Sequence, residues 1–296
     1  MSPDPQHTLA APVSFSGVGV HTGATVYVTI SPAAVGSGIR FLRTDGDAAG
    51  SVIAARTERV SQTRLGTVIE NGSGVQVSTV EHLMASFCGL GIDNALVQLD
   101  GGEVPIMDGS CEPFVRWLDL AGRQPQSQPR RYVEILKPVE VRDAEKRAAL
   151  LPAEQFEICC EIRFEAAAIG RQCLDLVLDE GVFRRQLADC RTFGFHHEVE
   201  ALRQAGLARG GSLDNAIVIE NGAVLNPEGL RCGDEFVRHK MIDAIGDLYL
   251  LGGPLLGRYE GVCAGHTLNN ALARALLAQP EAWRWAHSAA RLARAG

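Results

Sequence analysis

The stretch IDNALVQLDGG, residues 92–102, recurs in related form as LDNAIVIENGA at residues 213–223. Five positions are identical at a constant offset, beginning with Asp93 and Asp214, and a segment with helical periodicity precedes each copy. The offset is far too long for the repeat of a solenoid. We therefore predict an α+β protein with two similar, duplicated domains, each a β-sheet layered with helices.

Residues 122–130, GRQPQSQPR, form the most linker-like segment, because they contain two prolines, three glutamines and no apolar side chain. A length of 296 residues also fits two domains. We therefore predict an N-terminal α+β domain over residues 1–121 and a C-terminal α+β domain over residues 131–296. The second domain is expected to end in a helical tail at residues 270–295.

Composition restricts the class of protein. Hydrophobic residues make up 46% of the chain and charged residues 21%, which excludes a disordered chain. The net charge is −7 and basic residues form no run, so we expect no nucleic-acid partner. No apolar run approaches the ~18 residues of a membrane span, and the eight cysteines form no C-x-x-C motif. We expect a cytoplasmic protein with free thiols and without stable membrane insertion.

Periodicity and capping residues predict the main elements. Residues 13–30 are expected to form two strands joined by a glycine-rich turn, and because its G-x-G leads into a strand, a dinucleotide loop is disfavoured. Residues 77–91 predict a helix, with Ser78 as N-cap and Glu81 as its capping-box partner. Two further helices are predicted, over residues 181–206 and 234–253.

His239 and Asp243 lie one helical turn apart in RHKMIDAIGD, so they share a helix face, and Asp247 follows one turn later. This pattern is also typical of an ion pair on a helix or of a buried histidine with a carboxylate partner. The functional interpretation is a pair of metal ligands, because imidazole and carboxylate both bind zinc. The segment differs from the H-E-x-x-H motif of metalloproteases.

A catalytic zinc ion takes three protein ligands and leaves one position open for water. His82, in the other half of the chain, is the candidate for the third ligand, and Glu81 beside it could take a proton from that water. Each residue has a structural alternative, since Glu81 could complete a capping box and His82 could be an ordinary helix histidine. Ligands from two halves would place the active site at the domain interface.

His266 and Lys240 are candidates for a proton donor and an anion-binding group. His266 follows a glycine in CAGHTLNN, and a neighbouring carboxylate, Asp247 above all, would orient its ring and raise its pKa. Lys240 is one of only three lysines and adjoins a candidate ligand, so its ammonium could bind a phosphate or a developing oxyanion. The structural alternatives are a loop histidine bonded to the backbone and a solvated helix lysine.

Seven segments together resemble one family, the bacterial UDP-3-O-acyl-N-acetylglucosamine deacetylases of lipid A biosynthesis (the LpxC family). They occur in the family's order between residues 14 and 270: SFSGVGVHTG, VSTVEHLMASFCGLGIDNALV, GGEVPIMDGS, CRTFGF, GGSLDNAIV, DEFVRHKMIDAIGDLYLLG and AGHTLNN. The resemblance implies zinc-dependent hydrolysis of the acetamide of the UDP-sugar, which gives UDP-3-O-acyl-glucosamine and acetate in an early step of lipid A synthesis.

The resemblance also implies roles for individual residues. One zinc ion (Zn²⁺) is implied, with three ligands: His82, His239 and Asp243. Glu81 would be the general base on the zinc-bound water. Thr192 and Lys240 would help the zinc ion to stabilise the tetrahedral oxyanion. His266, supported by Asp247, would protonate the departing amine.

An apolar passage for the ester-linked acyl chain is a further implication. Eight positions match residues that line or adjoin it: Val20, Phe193, Phe195, Val199, Gly211, Ser212, Ala216 and Val218. Such apolar residues would equally suit an ordinary core. Lys146 and Phe164 match positions that face the nucleotide. The segment TRLGT has Gly66 where many members carry a cysteine, so a thiol ligand for a second, inhibitory metal ion is missing there.

The function classes that stay open differ in their need for metal. A hydrolase of another acylated sugar would keep the metal site, whereas a binding module that retains the fold would not require it. Ferrous iron suits the same ligands as zinc. We expect a small-molecule substrate and a monomer.

Overall fold

The protein is described by a computed structural model over residues 4–287. Its helices are α1 (Glu81–Gly89), α2 (Glu112–Ala121), α3 (Glu180–Val182), α4 (His196–Gln204), α5 (Glu235–Tyr249) and α6 (His266–Leu277). Its strands are β1 (Pro5–Leu9), β2 (Val13–Val18), β3 (Thr25–Pro32), β4 (Ile39–Arg43), β5 (Val52–Ala54), β6 (Val60–Gln62), β7 (Val68–Glu70), β8 (Gln76–Val77), β9 (Ala95–Leu99), β10 (Arg123–Pro129), β11 (Tyr132–Ile135), β12 (Val139–Asp143), β13 (Lys146–Leu151), β14 (Phe156–Arg163), β15 (Arg171–Val177), β16 (Phe193–Phe195), β17 (Ile217–Glu220), β18 (Ala223–Val224), β19 (Leu255–Val262) and β20 (Trp283–Ala286). None of the described helices has the length and apolar character needed to cross a membrane.

A five-stranded sheet in the first half has the order β2-β3-β9-β4-β5. Neighbouring strands are antiparallel except for β9 and β4, which run parallel. Side chains of β3 alternate between the two faces, and Val26, Val28 and Ile30 are buried in the core. The two strands predicted from residues 13–30 are confirmed.

The second half repeats this arrangement in the order β12-β13-β19-β14-β15, again with one parallel pair among the five strands, β19 and β14. Strands β11 and β20 extend it to a seven-stranded sheet. In each half one helix precedes the central strand, α1 before β9 and α5 before β19, and another helix follows it. The duplicated α+β architecture predicted from the sequence is therefore confirmed.

The sequence echo that suggested the duplication does not mark equivalent strands. Residues 92–102 contain β9 of the first sheet, whereas residues 213–223 contain β17, which belongs to a separate three-stranded sheet, β16-β17-β18. The asparagine that the two copies share has the same local role in each. The Asn94 side chain accepts a hydrogen bond from a backbone N–H at 2.8 Å, and the Asn215 side chain accepts one at 2.9 Å, so each amide fixes a neighbouring loop ahead of a strand.

The two halves meet where α1 packs against α5. Gly246 of α5 faces the backbone of α1, and a Cβ there would collide with the Glu81 carbonyl oxygen. Only glycine fits this crossing, because no side chain has room between the helices. At the other end, α1 stops at Gly89, which lies against the ring of Phe183. The first turn of α1 is thereby brought onto the middle of α5.

The prediction of an irregular linker over residues 122–130 is wrong, because most of this segment is a β-strand. Residues 123–129 form β10, which pairs antiparallel with β1 in a two-stranded ribbon. The side chains of β10 are mostly exposed, so this strand forms by backbone pairing and needs no apolar residues. A domain boundary in this segment stays a prediction.

Two predicted helical segments are interrupted. Residues 181–206 contain most of α3, a π-helical turn over Phe183–Leu187, β16 and α4. Strand β16 pairs with β17, so tertiary pairing overrides the helical pattern there. The predicted tail over residues 270–295 is α-helical only to Leu277. Residues 280–282 form a short 3-10 turn, and residues 283–286 form β20 against β11. Residues 288–295 of that prediction lie outside the described part of the chain.

Candidate active site

Three predicted metal ligands meet at the crossing of α1 and α5. His82 lies in the first turn of α1, and His239 and Asp243 lie one turn apart on α5. The Nε2 atoms of His82 and His239 are 3.5 and 3.4 Å from Asp243 Oδ1. One ligand atom of each residue lies within 4.8 Å of the others, and all three residues are buried. The group could hold one metal ion.

The donor set and its spacing fit a zinc ion. Tetrahedral bonds of ~2.0–2.1 Å place neighbouring ligand atoms about 3.4 Å apart, close to the separations from Asp243. The Nδ1 atom of His239 is 3.0 Å from the Cys190 carbonyl oxygen, which leaves Nε2 for the metal position, as is usual for a metal-bound imidazole. His82 Nδ1 is buried and has no hydrogen-bond partner among residues 4–287.

Glu81 begins α1 beside these ligands. Its Oε2 accepts a hydrogen bond from the Thr67 amide at 3.0 Å, and its Oε1 is 3.9 Å from His266 Nε2. Burial raises the pKa of the Glu81 carboxyl, because the carboxylate loses its hydration, and the nearby His266 acts in the opposite direction. A carboxylate of raised pKa is a better base near neutral pH than an exposed one.

The predicted capping box at the start of α1 is wrong. The Ser78 hydroxyl donates to the Gly102 carbonyl oxygen, and α1 begins at Glu81 without a side-chain cap. Thr79 has a φ of 58°, so the chain turns sharply just before the helix. The Glu81 carboxylate is thus available to the site. Gly66 packs against it, since a Cβ at that position would lie 2.9 Å from Glu81 Oε1.

His266 is the first residue of α6, and Asp247 orients its ring. His266 Nδ1 lies 2.9 Å from Asp247 Oδ2. Asp247 also accepts hydrogen bonds from the Thr67 hydroxyl at 2.5 Å and the Asn269 amide at 2.9 Å, and the Tyr259 hydroxyl donates to Asn269 at 2.6 Å. Burial acts to lower the pKa of His266, but Asp247 and a second carboxylate raise it to about 10. The imidazole can therefore serve as a proton donor at neutral pH.

Lys240 and Thr192 line the same cavity as His82 and Asp243. Lys240 Nζ donates to Asp243 Oδ2 at 2.7 Å and lies 5.4 Å from the centre of the Phe193 ring. Burial acts to raise the pKa of Asp243, but Lys240 and His239 lower it well below its usual value, so this ligand is ionised. Thr192 directly precedes β16, and its amide donates to a backbone carbonyl of the first half at 2.8 Å.

A cavity of about 460 Å³ extends from the ligands into a largely apolar passage. Its wall contains all eight residues expected to line or adjoin an acyl passage: Val20, Phe193, Phe195, Val199, Gly211, Ser212, Ala216 and Val218. Two expected nucleotide contacts lie outside this wall. Lys146 is exposed at the start of β13, and Phe164 packs on the ring of Phe193 with centroids 5.6 Å apart.

Sequence reasoning missed the residues that hold the reactive groups in place. Thr67 and Asn269 bond to Asp247, and Glu103 is fully buried beside the cavity wall. Asn269 and Glu103 both lie in segments that carry the family resemblance, AGHTLNN and GGEVPIMDGS. A sequence signal for them exists: each of these segments contains a polar residue that takes no part in the predicted reaction.

Comparison with known proteins points to one family. The family described as UDP-3-O-acyl N-acetylglycosamine deacetylase (LpxC) matches residues 6–278. The chain belongs to this family. Relatives named UDP-3-O-acyl-N-acetylglucosamine deacetylase occur in Phenylobacterium zucineum (63% identical, over 94% of this chain and 95% of the relative), Myxococcus xanthus (48%, over 94% and 88%) and Teredinibacter turnerae (47%, over 94% and 92%). A buried metal-binding group in an LpxC-family chain fits a metal-dependent deacetylase.

Proposed function

We propose that this protein is a zinc-dependent deacetylase that hydrolyses the acetamide of UDP-3-O-acyl-N-acetylglucosamine to UDP-3-O-acyl-glucosamine and acetate, an early step of lipid A biosynthesis. The observation that carries the proposal is the convergence of His82 with His239 and Asp243, with Glu81 and His266 beside them. Amide hydrolysis needs electrophilic assistance, a base for water and an acid for the leaving amine, and this group supplies the residues for all three.

Glu81 is the proposed base. When held by its three ligands, Zn²⁺ supplies Lewis acidity toward water and toward the acetamide carbonyl. Glu81 Oε1 accepts the proton of the attacking water, while Oε2 stays fixed by the Thr67 amide, so the accepting atom keeps its direction.

His266 is the proposed acid. Its Nε2 donates a proton to the amine nitrogen as the C–N bond breaks, and Asp247 at Nδ1 fixes the ring orientation and favours the protonated form. Lys240 and Thr192, on the cavity wall, donate to the carbonyl oxygen as it becomes an oxyanion. The net reaction adds one water molecule across the amide C–N bond and gives acetate and the free 2-amine of the sugar.

The apolar passage is the proposed site for the ester-linked acyl chain, because it opens directly beside the metal ligands. Nucleotide contacts by Lys146 and Phe164 are proposed from the family resemblance. We also propose that the enzyme is monomeric and cytoplasmic. Its N-terminal domain would comprise residues 1–121 and its C-terminal domain residues 131–296.

Metal analysis coupled to acetate release tests the proposed function. We expect about one zinc ion per chain, loss of acetate release after treatment with a chelator, and recovery on addition of Zn²⁺. Parallel reconstitution with Fe²⁺ compares the two metals that suit this ligand set. UDP-N-acetylglucosamine without the acyl chain is the matched control and should react far more slowly, since the passage then contributes no binding energy. Failure of the metal-loaded protein to release acetate from the acylated sugar would overturn the proposal.

A further inference from the structure

Glu103 is a buried carboxylate that the proposed reaction does not use. It is fully buried in the segment after β9. Its Oε1 accepts hydrogen bonds from the His21 amide at 2.8 Å and the Thr79 hydroxyl at 3.2 Å. Its Oε2 accepts hydrogen bonds from the Thr22 amide at 2.9 Å and the Thr22 hydroxyl at 2.7 Å. Four donors offset the cost of burying the carboxylate and are themselves held in place by it.

The donors belong to two segments of the cavity wall. One is the β2–β3 turn, residues 19–24, two of whose residues line the cavity. The other is Thr79, which also lines the cavity and lies two residues before Glu81 in a strained backbone conformation. The turn wraps closely around the carboxylate, because a Cβ on Gly19 would collide with Glu103 Oε2.

The β2–β3 turn also supports a wall segment from the second half of the chain. The Val20 carbonyl accepts a hydrogen bond from the Gly210 amide at 3.1 Å, and the His21 carbonyl accepts one from the Arg209 amide at 3.2 Å. The two residues that follow Gly210 line the cavity. Glu103 is therefore linked through one turn to both sides of the passage.

We propose that Glu103 is a positioning residue that holds the wall of the acyl passage in the conformation that binds substrate, an inference that rests on the proposed function. Each oxygen of the carboxylate faces one backbone N–H group, which can only donate, so only a group with acceptors at both ends satisfies both amides. Replacement by glutamine turns an NH₂ group toward one pair of donors and releases that segment. The passage is then less well formed, while the metal ligands on α1 and α5 keep their own contacts.

Glu103→Gln in the zinc-loaded full chain is the test. We expect the KM for UDP-3-O-acyl-N-acetylglucosamine to rise roughly 5- to 100-fold, the range for one buried polar group left unpaired. The kcat and the zinc content should stay close to those of the unaltered protein. With UDP-N-acetylglucosamine, which has no acyl chain, KM should hardly change. A merely structural role would instead lower the active fraction, and hence the apparent kcat for both substrates, without a change in KM.

Two further variants make the test independent of how well Glu103→Gln folds. Thr22→Val alters an exposed residue and removes one of the four donors, so KM for the acylated sugar should rise less but in the same direction. Asp100→Asn is the matched control. The exposed Asp100 lies directly after β9 and accepts a hydrogen bond from the Tyr27 amide of β3 at 2.7 Å. Its replacement should leave KM unchanged.

An unchanged KM in Glu103→Gln would overturn the inference, and if that variant does not fold, an unchanged KM in Thr22→Val would do so. Absence of acetate release by the unaltered protein would instead overturn the proposed function.

Discussion

The two halves of the molecule share a sheet topology but contribute different chemistry to the site. Helices α1 and α5 hold equivalent places, each directly before the central strand of its sheet. Helix α1 presents Glu81 and His82 from its first turn, immediately after a sharp bend in the backbone. Helix α5 instead presents His239, Asp243 and Asp247 at four-residue intervals from its buried middle.

This difference shows how a duplicated unit can form a single asymmetric site. Neither helix alone supplies all three proposed metal ligands, so metal binding by this group would depend on the close crossing of the two halves. The chemistry is divided as well, because the proposed base comes from α1 and the residue that orients the proposed acid comes from α5. Changes at His239 and Asp243 should therefore act first on metal affinity, and changes at Glu81 should act on the reaction alone.

His239→Ala should have the largest effect, because it removes a proposed metal ligand of α5. We expect zinc affinity to fall by more than the ~10–100-fold that loss of an outer-shell partner costs, with loss of activity at limiting metal. Zinc content after dialysis against a chelator of known affinity measures it. His197→Ala is the control, since this histidine is exposed on α4 and lies outside the metal-binding group. Equal zinc retention by both variants would contradict the ligand assignment.

Glu81→Gln should separate the role of α1 in chemistry from its role in metal binding. We expect one zinc ion per chain to be retained and kcat/KM to fall about 10²–10⁴-fold, the usual contribution of a general base. Steady-state acetate release on protein of measured zinc content gives both quantities. A rate near that of the unaltered protein would exclude Glu81 as the base.

The pH profile of kcat/KM should be bell-shaped, because Glu81 must be ionised and His266 must be protonated. Asp247 raises the pKa of His266, so Asp247→Asn should lower that pKa and move the alkaline limb to lower pH by about 1–3 units. The acid limb should move little. Asp234→Asn, a change at the N-cap of the same helix, is the control and should leave both limbs in place. An alkaline limb that does not move would argue against Asp247 as the partner of His266.

Gly246→Ala should give the smallest effect, on the docking of the halves and thus on stability. The new methyl group would collide with the Glu81 carbonyl oxygen, so we expect a loss of ~1–3 kcal/mol in the free energy of unfolding. Thermal or denaturant unfolding of the metal-loaded protein measures it. In Gly233→Ala a Cβ would meet no atom within 4 Å, so this variant should unfold like the unaltered protein. Similar stability of the two variants would mean that the helices can separate at little cost.

The sequence predicted the features that depend on local pattern. Helix α5 follows from a long stretch of helical periodicity, and the i, i+4 spacing of His239 and Asp243 places both on one face regardless of the rest of the fold. His82 followed from the need for a third ligand and from Glu81 beside it, but one histidine on a buried helix has no distinctive spacing, so an ordinary helix histidine stayed possible until the family resemblance was considered.

The remaining features depend on partners that are distant in sequence. Strand β10 forms against β1, and β16 forms against β17, so neither could be recognised from composition or helical periodicity. The echo of residues 92–102 at 213–223 marked similar loop contacts rather than equivalent strands. The role of Glu103 likewise depends on hydrogen-bond donors about 80 residues earlier in the chain, in the β2–β3 turn.

Anomalous diffraction at the zinc absorption edge, from crystals of the zinc-loaded protein, tests most directly whether both halves bind one ion. We predict a strong peak ~2.0–2.2 Å from the Nε2 atoms of His82 and His239 and from a carboxylate oxygen of Asp243. A peak coordinated by α5 alone, with His82 outside bonding distance, would contradict a site shared between the two halves.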